Sequence, residues 1–139
     1  MKQFSRQIIL ATRGRGFYEF TEEVAKLLHP TGIQTGLATL FIQHTSASLL
    51  IQEDADPDVR RDLETFFARL APDGDPAWLH DVEGPDDMPA HIRAALTATH
   101  LTVPIVQGEL ALGTWQGIYL WEHRTSSHQR HVMTHFLGE

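Results

Sequence analysis

Segments with alternating or uniformly apolar residues predict the strands of this chain. They comprise residues 3–12, 17–20, 36–43, 48–52, 101–107 and 109–112. In the first segment Phe4, Ile8 and Leu10 lie on one side and polar residues on the other, as in a strand with one solvated face. The segment 36–43 is apolar on both faces and is predicted as a central strand, whereas Pro104 indicates a sheet edge.

A period of about 3.6 residues predicts the first two helices. Thr21 is the expected N-cap of the first helix, which ends near Leu28, before a proline and a glycine. The second begins at Asp56-Pro57, where an acidic cap precedes a proline at the first helical position. Its apolar stripe has helical spacing and comprises Val59, Leu63, Phe66, Phe67 and Leu70.

A third helix follows a polar segment over residues 72–87. Asp86 or Asp87 is its expected cap, and Pro89 lies in its first turn. The apolar stripe of this helix is predicted to comprise Met88, Ile92, Ala95 and Leu96.

The last two strands, residues 117–124 and 130–137, are predicted to form a β-hairpin around residues 125–127. Strands interrupted irregularly by helices indicate an α+β fold with a mainly antiparallel sheet and two or three helices. A chain of 139 residues is long enough to bury a substantial core, so we expect one domain over residues 1–139.

Composition and charge exclude several classes of function. The net charge of −7 argues against a nucleic-acid partner, because phosphate contacts dominate such binding. The absence of cysteine excludes disulfides, thiolate zinc sites and a cysteine nucleophile. The first ten residues lack the apolar core of a signal peptide, and no apolar run is long enough to cross a bilayer. We therefore expect a cytoplasmic protein without a membrane partner.

The segment 80–93 concentrates two histidines and four carboxylates, the side chains that metal binding and acid–base chemistry need. His91 falls near the start of the third helix, where the positive end of the helix dipole favours a neutral imidazole. A neutral ring can bind a metal or accept a proton. The alternative is a half-buried histidine that is hydrogen-bonded to an acid of the preceding loop.

Two more histidines are candidates for the same site. His80 precedes Glu83 by three residues, and His44 ends a buried strand, where a polar side chain needs a partner. Three histidines from three elements could form a catalytic zinc site with an open fourth position. Their spacing shows no compact metal motif, so the residues alone leave this site and a set of unrelated histidines both open.

Residues 112–117, Leu-Gly-Thr-Trp-Gln-Gly, form a second candidate. Two glycines let a backbone approach a ligand closely or turn sharply. This segment is therefore either a ligand-binding loop or a tight turn with Trp115 as a core residue. Arg124, which ends the following strand, is the candidate phosphate ligand, with a surface ion pair as the alternative.

These segments together resemble the YjbQ family, whose members include secondary thiamine-phosphate synthases. The resemblance extends over nearly the whole chain, from Arg15 to Arg124. It is carried by the motifs His44-Thr45-Ser46-Ala47-Ser48, Glu53-Asp54, Asp56-Pro57-Asp58-Val59, His80, Glu83-Gly84, Asp87-Met88-Pro89-Ala90-His91-Ile92 and Leu112-Gly113-Thr114-Trp115-Gln116-Gly117-Ile118-Tyr119-Leu120.

The resemblance implies a compact α+β domain that assembles as a homotrimer. It also implies that His44, His80 and His91 converge on a divalent metal, either zinc or, with a diphosphate substrate, magnesium. The remaining implied site residues are Glu83, Glu53 and Arg124 as catalytic groups, and Ser46, Thr114, Gln116 and Asp87 as substrate ligands. Asp54 and Asp87 depart from the family pattern, where asparagine is common, and add negative charge that would favour a cation.

The activity implied is the coupling of a pyrimidine-methyl diphosphate to a thiazole phosphate, with release of diphosphate. A metal and Arg124 would stabilise the leaving group. Two alternatives remain for a phosphorylated small-molecule ligand: a metal-dependent hydrolase, and a binding module without catalysis.

Overall fold

Two antiparallel sheets stack face to face in the computed structural model, which describes residues 1–139. The strands are β1 (Lys2–Arg13), β2 (Gly16–Glu19), β3 (Thr35–Ile42), β4 (Ala47–Glu53), β5 (His100–Val106), β6 (Glu109–Leu110), β7 (Gln116–Glu122) and β8 (Ser127–Gly138). The larger sheet has the order β1-β8-β3-β5-β6 and the smaller one β2-β7-β4. With helices α1 (Thr21–Leu28), α2 (Pro57–Leu70) and α3 (Asp87–Leu96), this arrangement confirms the predicted α+β fold.

One hydrophobic core lies between the two sheets. Strand β3 turns Ala38, Leu40 and Ile42 into it, and β7 contributes Ile118 and Leu120 from the opposite sheet. The alternation along each strand explains why one row of side chains is buried while the next faces outward. Burial of such apolar side chains is the main driving force for this packing.

The predicted β-hairpin over the last two strands is wrong. Strand β7 pairs with β2 and β4, whereas β8 pairs with β1 and β3 in the other sheet. Residues 123–126 therefore carry the chain from one sheet to the other. A buried ion pair between Glu122 and Arg130 joins the two strands across this crossing.

The predicted caps of α1 and α2 have different outcomes. Asp56 caps α2 as expected, because its side chain accepts a hydrogen bond from the Asp58 N–H. Thr21, in contrast, is the first residue of α1 and does not cap it. Its hydroxyl instead donates to Glu19 and accepts from the Ile118 N–H, which ties the helix start to the smaller sheet.

The apolar stripes of α2 and α3 do not form buried faces. No residue of α2 is buried, although Phe67 packs edge-on against Trp121. Helix α3 buries Asp87, Pro89, Ala90, Arg93 and Ala94, and not the predicted stripe of Met88, Ile92, Ala95 and Leu96. Arg93, which is fully buried, donates to Glu64 of α2 and so links the two helices.

Several apolar side chains are exposed on the outer face of the larger sheet. Leu37 and Phe41 of the central strand β3 are each about half exposed, as are Val106 of the adjacent strand β5 and Ile9 of the edge strand β1. Within this chain, the apolar side chains of β3 are therefore covered on the inner face of the sheet and left exposed on the outer face. None of the three helices is both long and apolar enough to cross a lipid bilayer.

Candidate metal centre

Three side chains converge around the start of α3. Asp87, the first residue of the helix, is only 2% exposed, and its Oδ2 lies 2.6 Å from His80 Nε2 and 3.4 Å from His91 Nε2. The candidate ligand atoms of these three residues all lie within 4.8 Å of one another. His91 follows Asp87 by one helical turn, whereas His80 comes from the preceding loop. One carboxylate and two imidazoles suit zinc or another divalent transition metal and leave coordination positions open.

The orientation of His91 supports this interpretation. Its Nδ1 lies 3.0 Å from the carbonyl oxygen of Thr45, which can only accept a hydrogen bond, so Nδ1 carries the proton. In the neutral ring Nε2 then directs a lone pair at the Asp87 carboxylate, which also offers only lone pairs. Because two lone pairs repel each other, this contact is stable when a cation, either a proton or a metal ion, lies between His91 Nε2 and the Asp87 carboxylate oxygen. A backbone carbonyl on the far nitrogen is the usual partner of a metal-binding histidine.

Arg124 orients the carboxylate of this cluster. Its Nη1 lies 2.9 Å from Asp87 Oδ1, its Nε donates to Asp86 and its Nη2 donates to the Glu83 carbonyl oxygen. All three nitrogens therefore have a protein acceptor. This differs from the predicted role of Arg124 as a free phosphate ligand.

The two aspartates are held in their ionised form. Burial alone would raise the pKa of Asp87, but hydrogen bonds from its neighbours, that of His80 first, and the charge of Arg124 lower it. For Asp86 burial also opposes ionisation, yet the Thr125 N–H and the Arg124 guanidinium lower the pKa to about 2. An ionised carboxylate is the form that binds a metal.

His44 lies beside this cluster and not in it. Its Nε2 accepts a hydrogen bond of 2.8 Å from the His131 N–H, and its Nδ1 lies 3.4 Å from Arg130 Nη1. Burial and then the charge of Arg130 lower the pKa of the ring, which keeps it neutral. The structure thus brings His80 and His91 together with Asp87, whereas His44 does not occupy the third ligand position.

Cavities flank the cluster on two sides. One, of about 270 Å³, is lined by His44, Thr45, His91, Ala94, Ala95 and Thr99. The other, of about 300 Å³, is lined by Gly74, Asp75, Pro76, Trp78, His80, Asp81, Gly84 and Pro85. Glu83 is exposed, with its carboxylate 3.5 Å from His80 Nε2. A small molecule can therefore approach the cluster from either side.

The other predicted site residues lie elsewhere. Glu53 pairs with Gln116 at one end of the smaller sheet, whereas Ala47 and Glu122 pair at the end near Arg124. Six residues along a strand separate these ends, which corresponds to about 20 Å. The Glu53 carboxylate accepts from the Asp56 N–H, and the Gln116 side chain accepts from the Gly113 N–H.

Two more predictions concern the residues around these positions. Thr114 is exposed on the loop before β7, and Trp115 is 61% exposed, so Trp115 is not a core residue. Ser46 is buried, and its hydroxyl accepts from Arg130 Nη2 at 2.9 Å. Within one chain, none of Glu53, Thr114, Gln116 and Ser46 reaches the cluster of His80, Asp87 and His91.

Arg130 and Glu122 are the important residues that sequence reasoning missed. The alternation of β8 places Arg130 in the same inward row as Val132, Thr134 and Phe136. A charged residue in an inward row needs a charged partner, because an unpaired buried charge is very costly. That rule could have indicated an acid such as Glu122, although not which one.

Comparison with known proteins identifies the relatives of this chain. A family model described as UPF0047 protein YjbQ-like matches residues 6–139. A UPF0047 protein of Synechocystis sp. is 51% identical over 99% of this chain and 94% of its own length. The UPF0047 protein YjbQ of Salmonella typhimurium is 44% identical over 98% of this chain and 99% of its own.

Solved structures agree with this assignment. A conserved hypothetical protein of Thermus thermophilus superposes with a TM-score of 0.85 at 36% identity, covering 95% of this chain and 99% of its own. A YbjQ-like protein of unknown function from Sulfolobus solfataricus shares the fold, with a TM-score of 0.89 at 24% identity over 99% of both chains. The resemblance seen in the sequence motifs is confirmed, and the chain belongs to the YjbQ-like UPF0047 family.

Proposed function

We propose that this chain is a divalent-metal enzyme that joins a pyrimidine-methyl diphosphate to a thiazole phosphate, producing thiamine phosphate and diphosphate. The observation that supports a metal enzyme is the geometry of His91, whose Nδ1 is bonded to the Thr45 carbonyl oxygen and whose Nε2 faces the buried Asp87 carboxylate beside His80. The substrates are those that the family resemblance implies. Both are small molecules with negatively charged phosphate groups, which a metal cation can bind.

The proposed reaction needs no general base. The thiazole ring nitrogen attacks the methylene carbon with its lone pair, the carbon–oxygen bond breaks, and diphosphate leaves with that electron pair. A bound zinc or magnesium ion would stabilise the negative charge of the leaving group. His80, Asp87 and His91 would hold that metal ion, and Arg124 helps to keep Asp87 ionised and oriented.

One feature favours hydrolysis as a second candidate. Glu83 is exposed and lies 3.5 Å from His80 Nε2, so its carboxylate is placed to accept a proton from a water molecule at the cluster. The reaction would then cleave a phosphate ester or anhydride of a small metabolite, with water as the nucleophile.

Product analysis of the zinc- or magnesium-loaded protein tests these proposals. We expect thiamine phosphate to form, and diphosphate release from the pyrimidine diphosphate to require the thiazole phosphate. Diphosphate release that does not require the thiazole phosphate identifies a hydrolase and overturns the transferase proposal. Metal binding without turnover of any phosphorylated compound tested identifies a binding module. His91→Ala should abolish turnover, whereas His29→Ala, at an exposed histidine that pairs with Glu109, should not.

We further propose that the chain assembles as a homotrimer through the outer face of the larger sheet. That face exposes four large apolar side chains, those of Ile9, Leu37, Phe41 and Val106, and exposed apolar surface on one face can mark an interaction surface. A closed symmetric assembly would cover this patch in every copy.

A further inference from the structure

Two hydrogen-bond donors face each other beside the cavity that His44 and His91 share. The His131 backbone N–H can only donate, so the Nε2 of His44, 2.8 Å away, must accept. The proton of the neutral ring is therefore on Nδ1. That Nδ1–H lies 3.4 Å from Arg130 Nη1, and a guanidinium carries donors only.

No group of the chain accepts a hydrogen bond from Arg130 Nη1. Its Nε and Nη2 donate to the Glu122 carboxylate, and Nη2 also donates to the Ser46 hydroxyl and carbonyl oxygen. The Arg130 side chain is only 4% exposed, so bulk water does not satisfy the remaining N–H groups. Buried donors without an acceptor are costly, and their presence indicates a missing ligand or ordered water.

We propose that His44 Nδ1–H donates to an oxygen of a phosphate group that enters the cavity lined by His44, Thr45 and His91. The cavity, of about 270 Å³, has room for much more than one water molecule. Arg130 does not line this cavity, but its guanidinium lies 3.4 Å from His44 Nδ1, so its positive charge favours an anion there.

The location of this site relates it to the metal cluster. Thr45, the residue after His44, accepts the hydrogen bond from His91 Nδ1, and all three residues line the same cavity. A phosphorylated molecule held at His44 would extend past His91 towards the proposed metal. The inference deepens the proposed function, since it assigns a place for a substrate phosphate, but phosphate binding itself needs no metal.

Phosphate binding to metal-free protein tests the inference. Nitrogen-15 NMR of histidine-labelled, chelator-treated protein should show His44 as the Nδ1–H tautomer and a saturable shift of Nδ1 with inorganic phosphate. His44→Phe should weaken phosphate binding about tenfold or more, because a hydrogen bond to a charged group is lost. His44→Asn, which keeps an amide donor, should restore much of the affinity, and His29→Phe should leave it unchanged.

Three results would overturn the inference: an Nε2–H tautomer of His44, no saturable shift with phosphate, or wild-type affinity in a folded His44→Phe variant. Acetate saturating the same signal at lower concentration than phosphate would show a carboxylate site and overturn the assignment to phosphate. A separate measurement of metal content distinguishes the two proposals. If the chain binds phosphate through His44 but binds no metal, the phosphate site is supported and the metal-enzyme proposal is wrong.

Discussion

His91 donates from Nδ1 to the carbonyl oxygen of Thr45, 3.0 Å away, and this bond aims its Nε2 at Asp87. The donor is on α3 and the acceptor is on the loop between β3 and β4, so the fold determines the tautomer. A backbone acceptor cannot rotate away as a side chain can. The candidate metal site is therefore organised before any ion arrives, which lowers the cost of binding.

Removal of a proposed ligand should abolish tight zinc binding. We expect His80→Ala, Asp87→Ala and His91→Ala each to lose stoichiometric zinc, because two remaining donors make a weak site. His44→Ala should retain zinc, since both His44 nitrogens face protein donors. Elemental analysis and chelator competition measure this. Loss of zinc in the His44 variant with retention in the Asp87 variant would support the three-histidine set that the sequence suggested.

Arg124→Gln should weaken zinc binding without removing a ligand. The Arg124 guanidinium holds Asp87 Oδ1 at 2.9 Å and leaves Oδ2 facing the two histidines. Loss of such an orienting partner typically lowers metal affinity by roughly 10–100-fold. Chelator competition should detect this change at pH 7. Arg15→Gln, which loses a more exposed pair with Asp73, is the control and should bind zinc as the wild type does.

Local patterns were sufficient for much of the fold. Alternation located the long strands, and the Asp56-Pro57 start of α2 was correct because a cap depends only on neighbouring residues. The partners of the last two strands were not predictable in this way, since pairing depends on segments far away in the chain. The same limit applies to Arg130, whose burial is visible in the pattern but whose partner is not.

The site was predictable only in part for a similar reason. His80, Asp87 and His91 lie within twelve residues, and a loop followed by one helical turn can bring them together. The exclusion of His44 depends on the hydrogen bond from the His131 N–H and on the nearby Arg130 guanidinium, which are both contributed by β8 at the far end of the chain. No local pattern contains that information.

Glu122→Gln should destabilise the protein strongly. Glu122 is fully buried and accepts from Arg130, so the variant leaves a buried guanidinium without its counter-charge. Breaking one side of a buried ion pair typically costs about 3–5 kcal/mol. Urea unfolding at pH 7 measures the loss. The double variant Glu122→Leu/Arg130→Met should recover part of it, and a loss below about 1 kcal/mol in the single variant would contradict a tight buried pair.

His123 should make the protein less stable as the pH falls. Burial, followed by the charges of Arg93, Arg15 and Arg130, lowers its pKa from 6.5 to about 2. Between these values the unfolded chain binds one more proton than the folded chain does. The free energy of unfolding should therefore decrease by up to about 1.4 kcal/mol per pH unit from this residue as the pH falls below 6.5.

The variant His123→Gln isolates this effect. A glutamine amide can keep the hydrogen bond that His123 Nε2 makes with Ser48 at 2.8 Å, but it does not titrate. Denaturant unfolding at several values between pH 7 and pH 5 should show a shallower pH dependence in the variant, even if its stability at pH 7 is lower. Equal slopes would mean that His123 takes up a proton as readily in the folded protein as in the unfolded chain.

Phe41→Glu should dissociate the proposed homotrimer. Phe41 lies on the central strand β3 of the larger sheet, half exposed and in register with Met133 of β8. A carboxylate at the centre of an apolar interface would have to lose its water without gaining a partner, which is costly. Sedimentation velocity should show a trimer for the wild type and a monomer for the variant. Phe66→Glu, at an exposed phenylalanine of α2, is the matched control and should remain trimeric. A monomeric wild type, or dissociation by the α2 variant alone, would exclude the outer sheet face as the assembly surface.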